Sequence, residues 1–283
     1  MMGRYILCSA MIACLWLGGC DDDDDGTDDV VDSGVVCAAG THNQYDVCVP
    51  DSEIVAIAGG TFDMGIEGGG NNPIHSVTLS PYNIDKYEVT NLKYRACVDV
   101  GVCEMPSDVS SYSGRTDYFT NVAWDNFPAI YITWQQAVDY CVGLGKTLPT
   151  EAQWEMAARG TAGGLYPWGD DAPTSSFANW GEPYTGDTKA VGSYPAGDSP
   201  FGLADMSGNV REWVNDYFTY SYYESGENQD PVGPTSGTYR VTRGGSFVTE
   251  DDQLQAVYRS PYHPMDTYST LGFRCVSSNV GGN

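Results

Sequence analysis

The apolar and polar positions of the chain change period several times, and each change marks an expected element. Residues 54–58 are a short apolar run followed by Gly-Gly-Thr-Phe-Asp-Met-Gly at 59–65, which predicts a strand entering a turn. Residues 75–80 predict a second strand, with Val77 and Leu79 on one face and Pro81 limiting its continuation. The pattern then turns helical, with Thr90 placed to cap a helix running to about Val100 and Gly101 to stop it. Two further helices carry a sharper signature. Thr133 and Thr150 are each followed three positions later by a glutamine, Gln136 and Gln153, the spacing at which hydroxyl and amide satisfy each other's backbone N–H groups. In the first, Trp134, Ala137, Val138, Cys141 and Val142 recur at helical spacing, which predicts a buried face ending at Gly143 or Gly145. In the second, Trp154, Ala157 and Ala158 form the apolar stripe and Gly160 the stop. Packing is the expected role of these tryptophans. Beyond Gly160 only short apolar runs remain, broken by Gly, Pro, Asn and Asp. Residues 191–194, 241–242 and 256–258 are the strand candidates there, and the loops between them are expected to carry function.

The first residues follow a different logic. Arg4 precedes an apolar run over 5–17 that is too short to span a bilayer permanently, and Leu17-Gly18-Gly19-Cys20 closes it. This resembles a bacterial lipoprotein signal, in which cleavage precedes the cysteine and its sulfur carries lipid. The expected organisation is a signal over 1–19, a lipidated Cys20 with an acidic tether over 20–36, a small cysteine-closed segment over 37–52, one folded domain over 53–277 and a tail over 278–283. The expected place is the bacterial cell envelope, anchored to the membrane through Cys20 and facing the periplasm or the cell surface.

Composition narrows the chemistry. The 283 residues include 34 Gly and 20 Tyr, which favours turns and short aromatic strands over a helical bundle. A formal net charge of −25 argues against a nucleic-acid partner and for the binding of cations. Much of the acidity is local, in residues 21–25 with Asp28, Asp29 and Asp32, a self-repelling run. With Cys8 and Cys14 in the signal and Cys20 lipidated, Cys37, Cys48, Cys97, Cys103, Cys141 and Cys275 remain. In an exported chain that even number points to disulfides, since His42, His75 and His263 are too scattered for zinc. Sequence neighbours suggest Cys37 with Cys48 and Cys97 with Cys103, among about fifteen connectivities.

Residues 201–213 combine a glycine-rich turn with an acidic and aromatic run. Asp205 and Glu212 offer carboxylate oxygen, and the bend at Gly208 and Asn209 can aim backbone carbonyls at the same point, as a hard cation requires. The bland alternative is a solvated loop with Trp213 in the core.

Ordered landmarks extend the pattern across the chain. They are Gly-Gly-Thr-Phe-Asp-Met-Gly at 59–65, Tyr-Glu-Val-Thr-Asn at 87–91, Gly-Lys-Thr-Leu-Pro-Thr-Glu-Ala-Gln-Trp-Glu at 145–155 and Tyr-Pro-Trp-Gly at 166–169. Phe-Gly-Leu at 201–203, Gly-Asn-Val-Arg-Glu-Trp at 208–213, Arg-Gly-Gly-Ser-Phe at 243–247 and Leu-Gly-Phe-Arg-Cys at 271–275 follow. This resembles the formylglycine-generating enzyme family, the sulfatase-modifying-factor domain. The resemblance implies an irregular α+β domain related to the C-type lectin fold, with short strands, about three helices and many loops. It further implies a Cys141–Cys275 disulfide that closes a long loop and stabilises the fold by several kcal/mol. It implies structural calcium on Asp205, the carbonyls of Gly208 and Val210, and Glu212. A second calcium site would use Asn179 and the carbonyl of Trp180, with Asp187 as a further candidate.

Active members of the family oxidise a cysteine using oxygen and a copper ion held by two cysteines, a soft pair suited to Cu(I). At the matching positions this chain has Thr249 and Leu254, and no cysteine lies between Ser246 and Arg274. Copper is therefore not expected, and Arg211 replaces an aromatic residue at the floor of that site. Ser246 survives without a histidine to activate it and reads as structural. The expectation is a non-catalytic lipoprotein domain that binds a peptide, protein or glycan. The alternative is a metal-dependent or protein-modifying enzyme using a different site, for which His75 or His263 would have to join a carboxylate.

Overall fold

Three helices and eleven short strands build the protein in the computed structural model, which describes residues 41–44, 47–50, 53–181 and 186–278. The expectations for residues 1–19, Cys20, the tether to residue 36, the Cys37–Cys48 pair and residues 279–283 lie outside the described residues. Strands β1 (Thr41–Gln44) and β2 (Val47–Pro50) form an antiparallel hairpin. Strands β3 (Ile54–Ile57), β4 (Gly60–Met64), β5 (His75–Leu79) and β6 (Tyr82–Asp85) follow. Helices α1 (Asn91–Asp99), α2 (Trp134–Gly143) and α3 (Glu151–Arg159) come next. The chain ends with β7 (Arg211–Tyr217), β8 (Arg240–Arg243), β9 (Ser260–Tyr262), β10 (Leu271–Phe273) and β11 (Val276–Ser278).

β4 and β5 pair antiparallel, and their alternation buries Phe62, Met64, Val77 and Leu79. Pro81 ends β5 as expected, yet the chain re-enters a sheet at once as β6, the centre of a three-stranded sheet between β11 and β3. The largest sheet runs β10-β7-β8-β9, with β10 parallel to β7 and the other pairs antiparallel. β7 divides two cores. Val214 packs with α3 residues Trp154, Met156, Ala157 and Ala158 and with the β4–β5 pair. Trp213 packs on the other side with Tyr94 of α1, Ala137, Tyr140 and Cys141 of α2, and Phe273. Each large side chain so buried contributes roughly 1.5–3 kcal/mol.

Both capping boxes form: the Thr133 and Thr150 hydroxyls accept from the Gln136 and Gln153 amides, and each glutamine reaches back to the cap N–H. Cys97 is joined to Cys103 and Cys141 to Cys275, the latter across a separation of 134 residues.

Five expectations need correction. Residues 60–64, expected in the turn after the first strand, form β4, because Phe62 and Met64 alternate into the core and the backbone pairs with β5. Thr90 precedes α1, but its side chain makes no capping hydrogen bond. Val142 is 58% exposed, and Tyr140 takes the inward place on α2. Residues 191–194 form a turn, because Gly192 adopts a positive φ of 74° and gives its N–H to Asp205 instead of to a strand. Residues 256–258 are also a turn, closed by the Tyr258 N–H on the Gln255 carbonyl, and the strand starts two residues later.

Candidate functional site

The stretch over 201–213 folds as the sequence suggests at its bend and differently at its charges. Asp205, Gly208 and Asn209 all have positive φ, and a Cβ on Gly208 would stand 2.5 Å from the Asn179 carbonyl oxygen, so glycine is required there. The Asn209 side chain locks the turn, donating to Glu88 at 2.6 Å and accepting from the Lys189 N–H at 2.9 Å. The Val210 N–H reaches the other Glu88 oxygen at 3.2 Å. β7 begins immediately after, which makes Glu212 a strand residue buried beside Trp213.

Glu212 is engaged from two directions. Arg274 donates through Nε at 2.8 Å and Nη2 at 2.7 Å, and the Trp154 indole N–H donates at 2.8 Å. Arg274 has its remaining N–H groups on the carbonyls of Asp85, Lys86 and Ala204. The Cys141–Cys275 bond anchors the next residue, so the arginine is held at the one place where it meets Glu212. Sequence reading placed Arg274 and Glu88 within landmark motifs without giving either a role. A charged residue inside such a motif was the signal available.

Three carboxyl groups, Glu88, Asp205 and Glu212, are thus buried with a single buried guanidinium. Burial pushes the Asp205 carboxyl up to about 6, against the pull of the Gly192 N–H and Arg274 and with the added push of Glu212. Glu88 is raised well above the usual carboxylate range by burial, then by the charges of Asp205 and Glu212. Ionised together, these three carboxyl groups would outnumber the one guanidinium, and their oxygens are of the type that fits a hard divalent cation. Among the described residues no three His, Cys, Asp or Glu side chains group as a metal cage by themselves, so such an ion would depend on the carbonyls of Gly208 and Val210 as well as on Asp205 and Glu212. Glu212, whose two oxygens each accept two N–H groups from Arg274 and Trp154, would have to release one of them.

The second expected cation site is arranged otherwise. Asn179, Trp180 and Asp187 do come together, around a cavity of about 340 Å³ that Arg115 and Lys189 also line. The Arg115 guanidinium lies 3.4 Å from the Asp187 carboxylate. Asn179 donates its amide to the Asp187 carbonyl at 2.8 Å and to Asn209 at 3.3 Å. The charge of Asp187 is thus already matched by Arg115, and the residues present do not fit a further cation.

Thr249 and Leu254 are neighbours in space. The Thr249 hydroxyl and a Leu254 methyl stand 2.9 and 3.0 Å from where a Cβ on Gly245 would lie. Leu254 is fully buried, and the Thr249 hydroxyl is turned back on the backbone of Ser246, donating to its carbonyl at 2.9 Å and accepting from its N–H at 3.0 Å. Arg211 reaches the same turn, donating to Gln253 at 2.5 Å. The Ser246 hydroxyl is buried and has no partner among the described residues. No base stands against it, so it lacks the activation a nucleophile needs. His75 turns its ring onto Tyr223 and His263 onto Tyr239, each in its own corner.

Comparison with known proteins fits this geometry. Residues 42–279 match the sulfatase-modifying factor enzyme 1-like domain. The serine/threonine-protein kinase pkn1 of Chlamydia pneumoniae is 37% identical over 243 residues, which cover 80% of this chain and 38% of the kinase. The chain therefore spans well under half the length of that relative. The formylglycine-generating enzyme of Streptomyces coelicolor is 32% identical over 280 residues, covering 79% of this chain and 88% of the enzyme. Among solved structures, PvdO from Pseudomonas aeruginosa superposes with a TM-score of 0.67 at 24% identity, over 80% of this chain and 94% of its own, a likeness of fold.

Proposed function

The chain belongs to the sulfatase-modifying factor enzyme 1-like family, and from that premise we propose that it is a non-catalytic, calcium-stabilised domain of a bacterial envelope lipoprotein that binds a peptide, protein or glycan partner. The observation that carries the non-catalytic reading is the pair Thr249 and Leu254. They pack side by side on Gly245, at the positions where the family resemblance puts two cysteines. A methyl group donates nothing to a metal, and a threonine hydroxyl is a poor ligand for the Cu(I) that two thiolates suit. Cys97, Cys103, Cys141 and Cys275 are all held in disulfides, so none of them is a free thiol for the role. Incubating the purified protein with Cu(I), oxygen and a sulfatase-type peptide tests this directly. No formylglycine is expected; its formation overturns the reading.

Calcium is supported by the charge balance of the centre around Asp205. Bound there, it would supply positive charge to carboxyl groups that otherwise sit buried in surplus, with the carbonyls of Gly208 and Val210 completing the oxygen set beside Asp205 and Glu212. Its role is to hold the turn over 205–210 against β7, and hence to fix the loops around it.

The envelope setting rests on the sequence alone, through Leu17-Gly18-Gly19-Cys20 and the acidic run behind it. A fatty acid fed to expressing bacteria is expected to label the protein, and Cys20→Ala to abolish the label. Labelling that persists in the variant would remove the lipoprotein assignment.

A further inference from the structure

The pocket around Asp187 carries a statement of its own. One oxygen of its carboxylate is filled by the chain. Oδ2 accepts from the hydroxyls of Ser111 and Ser113, each at 2.5 Å, and from the Ser113 N–H at 3.3 Å, and Arg115 Nη1 pairs with its charge at 3.4 Å. Oδ1 accepts from the Thr188 N–H at 2.8 Å. One carboxylate oxygen has two lone pairs, so the three donors on Oδ2 fill it, and on Oδ1, with one donor, the charge of Arg115 is what stands against a metal ion.

The cation in this set is held in place. Arg115 Nη1 also donates to the Thr188 carbonyl at 3.3 Å, and the guanidinium lies 4.5 Å from the Trp124 ring centre and 5.2 Å from that of Phe127. A tight turn delivers it: the Arg115 N–H donates to the Ser111 hydroxyl, and the Ser111 N–H returns to the Arg115 carbonyl. Arg115, Ser111 and Ser113 therefore act as one clasp closing on Asp187. The clasp is also joined to the other centre, because Asn179 bridges the Asp187 carbonyl and the Asn209 side chain.

We propose that Arg115 is a built-in counter-ion that takes the place of a second bound cation, so that this domain binds calcium at one centre only. A dication beside Asp187 would meet a carboxylate whose charge Arg115 already balances one for one, whereas three buried carboxyl groups share Arg274 at the other centre. The consequence is a division of labour. Asp187 and the turn over 111–115 that holds it stay in place whether or not calcium is present, while the turn at Asp205 depends on it. Only the count of one rests on the reading of the Asp205 centre as a calcium site; the clasp does not.

Calorimetric titration of the metal-free full chain with calcium tests the proposal, in potassium chloride strong enough to suppress weak binding by the acidic residues 21–25. The wild type is expected to bind one calcium, and Asp187→Asn to keep it. Arg115→Met, with its fold checked by near-ultraviolet circular dichroism, is expected to admit a second. Two sites in the wild type, loss of the single site in Asp187→Asn, or a folded Arg115→Met that still binds only one would each overturn the proposal. No calcium in the wild type but one in Arg115→Met would refute the reading of the Asp205 centre and uphold the clasp. Should Arg115→Met not fold, the wild-type count and Asp187→Asn still decide.

Discussion

Two buried ionic centres use the same residue types and reach opposite charge balances. At the first turn and centre of α3, Glu151 and Glu155, with Asp216 of β7, meet Arg159, Arg243 and Arg259, all of them buried. Arg259 grips Glu151 with two N–H groups at 2.7 and 2.8 Å, and Arg243 and Arg159 both donate to Glu155. Asp216 accepts the Glu151 N–H at 2.8 Å. Three carboxyl groups face three guanidiniums. Around Asp205, three carboxyl groups have one, Arg274, and it is committed to Glu212. Taking ions out of water costs several kcal/mol each unless they are paired, so a closed set such as the α3 centre is complete without help. The Asp205 centre is not, by its count of guanidiniums; raised carboxyl groups do not separate the two, since burial lifts Asp216 in one as it lifts Asp205 and Glu88 in the other. Buried acidity by itself therefore says little about metal binding in this protein; what discriminates is whether the chain supplies its own cations.

The largest expected effects come from removing one cation at each centre. Arg243→Met leaves Glu155 without its main partner and is expected to cost about 3–5 kcal/mol in urea unfolding, with no recovery on adding calcium. Arg274→Met is expected to cost a similar amount in chelator, about 3–5 kcal/mol, but to recover part of it in excess calcium. Equal responses to calcium in the two variants would erase the distinction between the centres.

A smaller effect tests the α3 centre by pH. Burial, and next the charge of Glu151, push the Asp216 carboxyl from 3.8 up to about 8. Between those values the native state holds a proton that the unfolded chain has released. Its contribution therefore falls as pH rises from about 4 to about 8. Asp216→Asn, which keeps an acceptor for the Glu151 N–H, is expected to flatten the decline by up to about 1.4 kcal/mol per pH unit. Parallel stability profiles for the variant and the wild type would show that Asp216 is not held protonated.

Much of the frame was legible in the sequence because it is locally encoded. The Thr133 and Thr150 capping boxes, the alternation of β5, and the bend at Gly208 and Asn209 each depend on residues a few positions apart. β7 was missed for the opposite reason. Its residues are buried on both faces, so no alternation marks it, and Arg211, Glu212 and Asp216 are buried charges whose partners come from distant segments. Glu212 is matched by Arg274, 62 residues away, and Glu151 by Arg259, 108 residues away. Spacing could suggest Glu212 as an oxygen donor but could not reveal the arginine already on it. Asp187 shows the same limit, since the clasp from Ser111, Ser113 and Arg115 arrives from more than 70 residues upstream.

The dependence of the Asp205 centre on a cation is tested most directly by melting the purified protein in excess calcium and in chelator. Asp205→Ala serves as the control, because Glu212→Ala would also strip Arg274 of its partner. With calcium at about a hundred times its dissociation constant, the midpoint is expected to fall by roughly 5–10 °C on chelation, and Asp205→Ala to lose most of that difference. A wild-type melting curve that chelation leaves unchanged would contradict it.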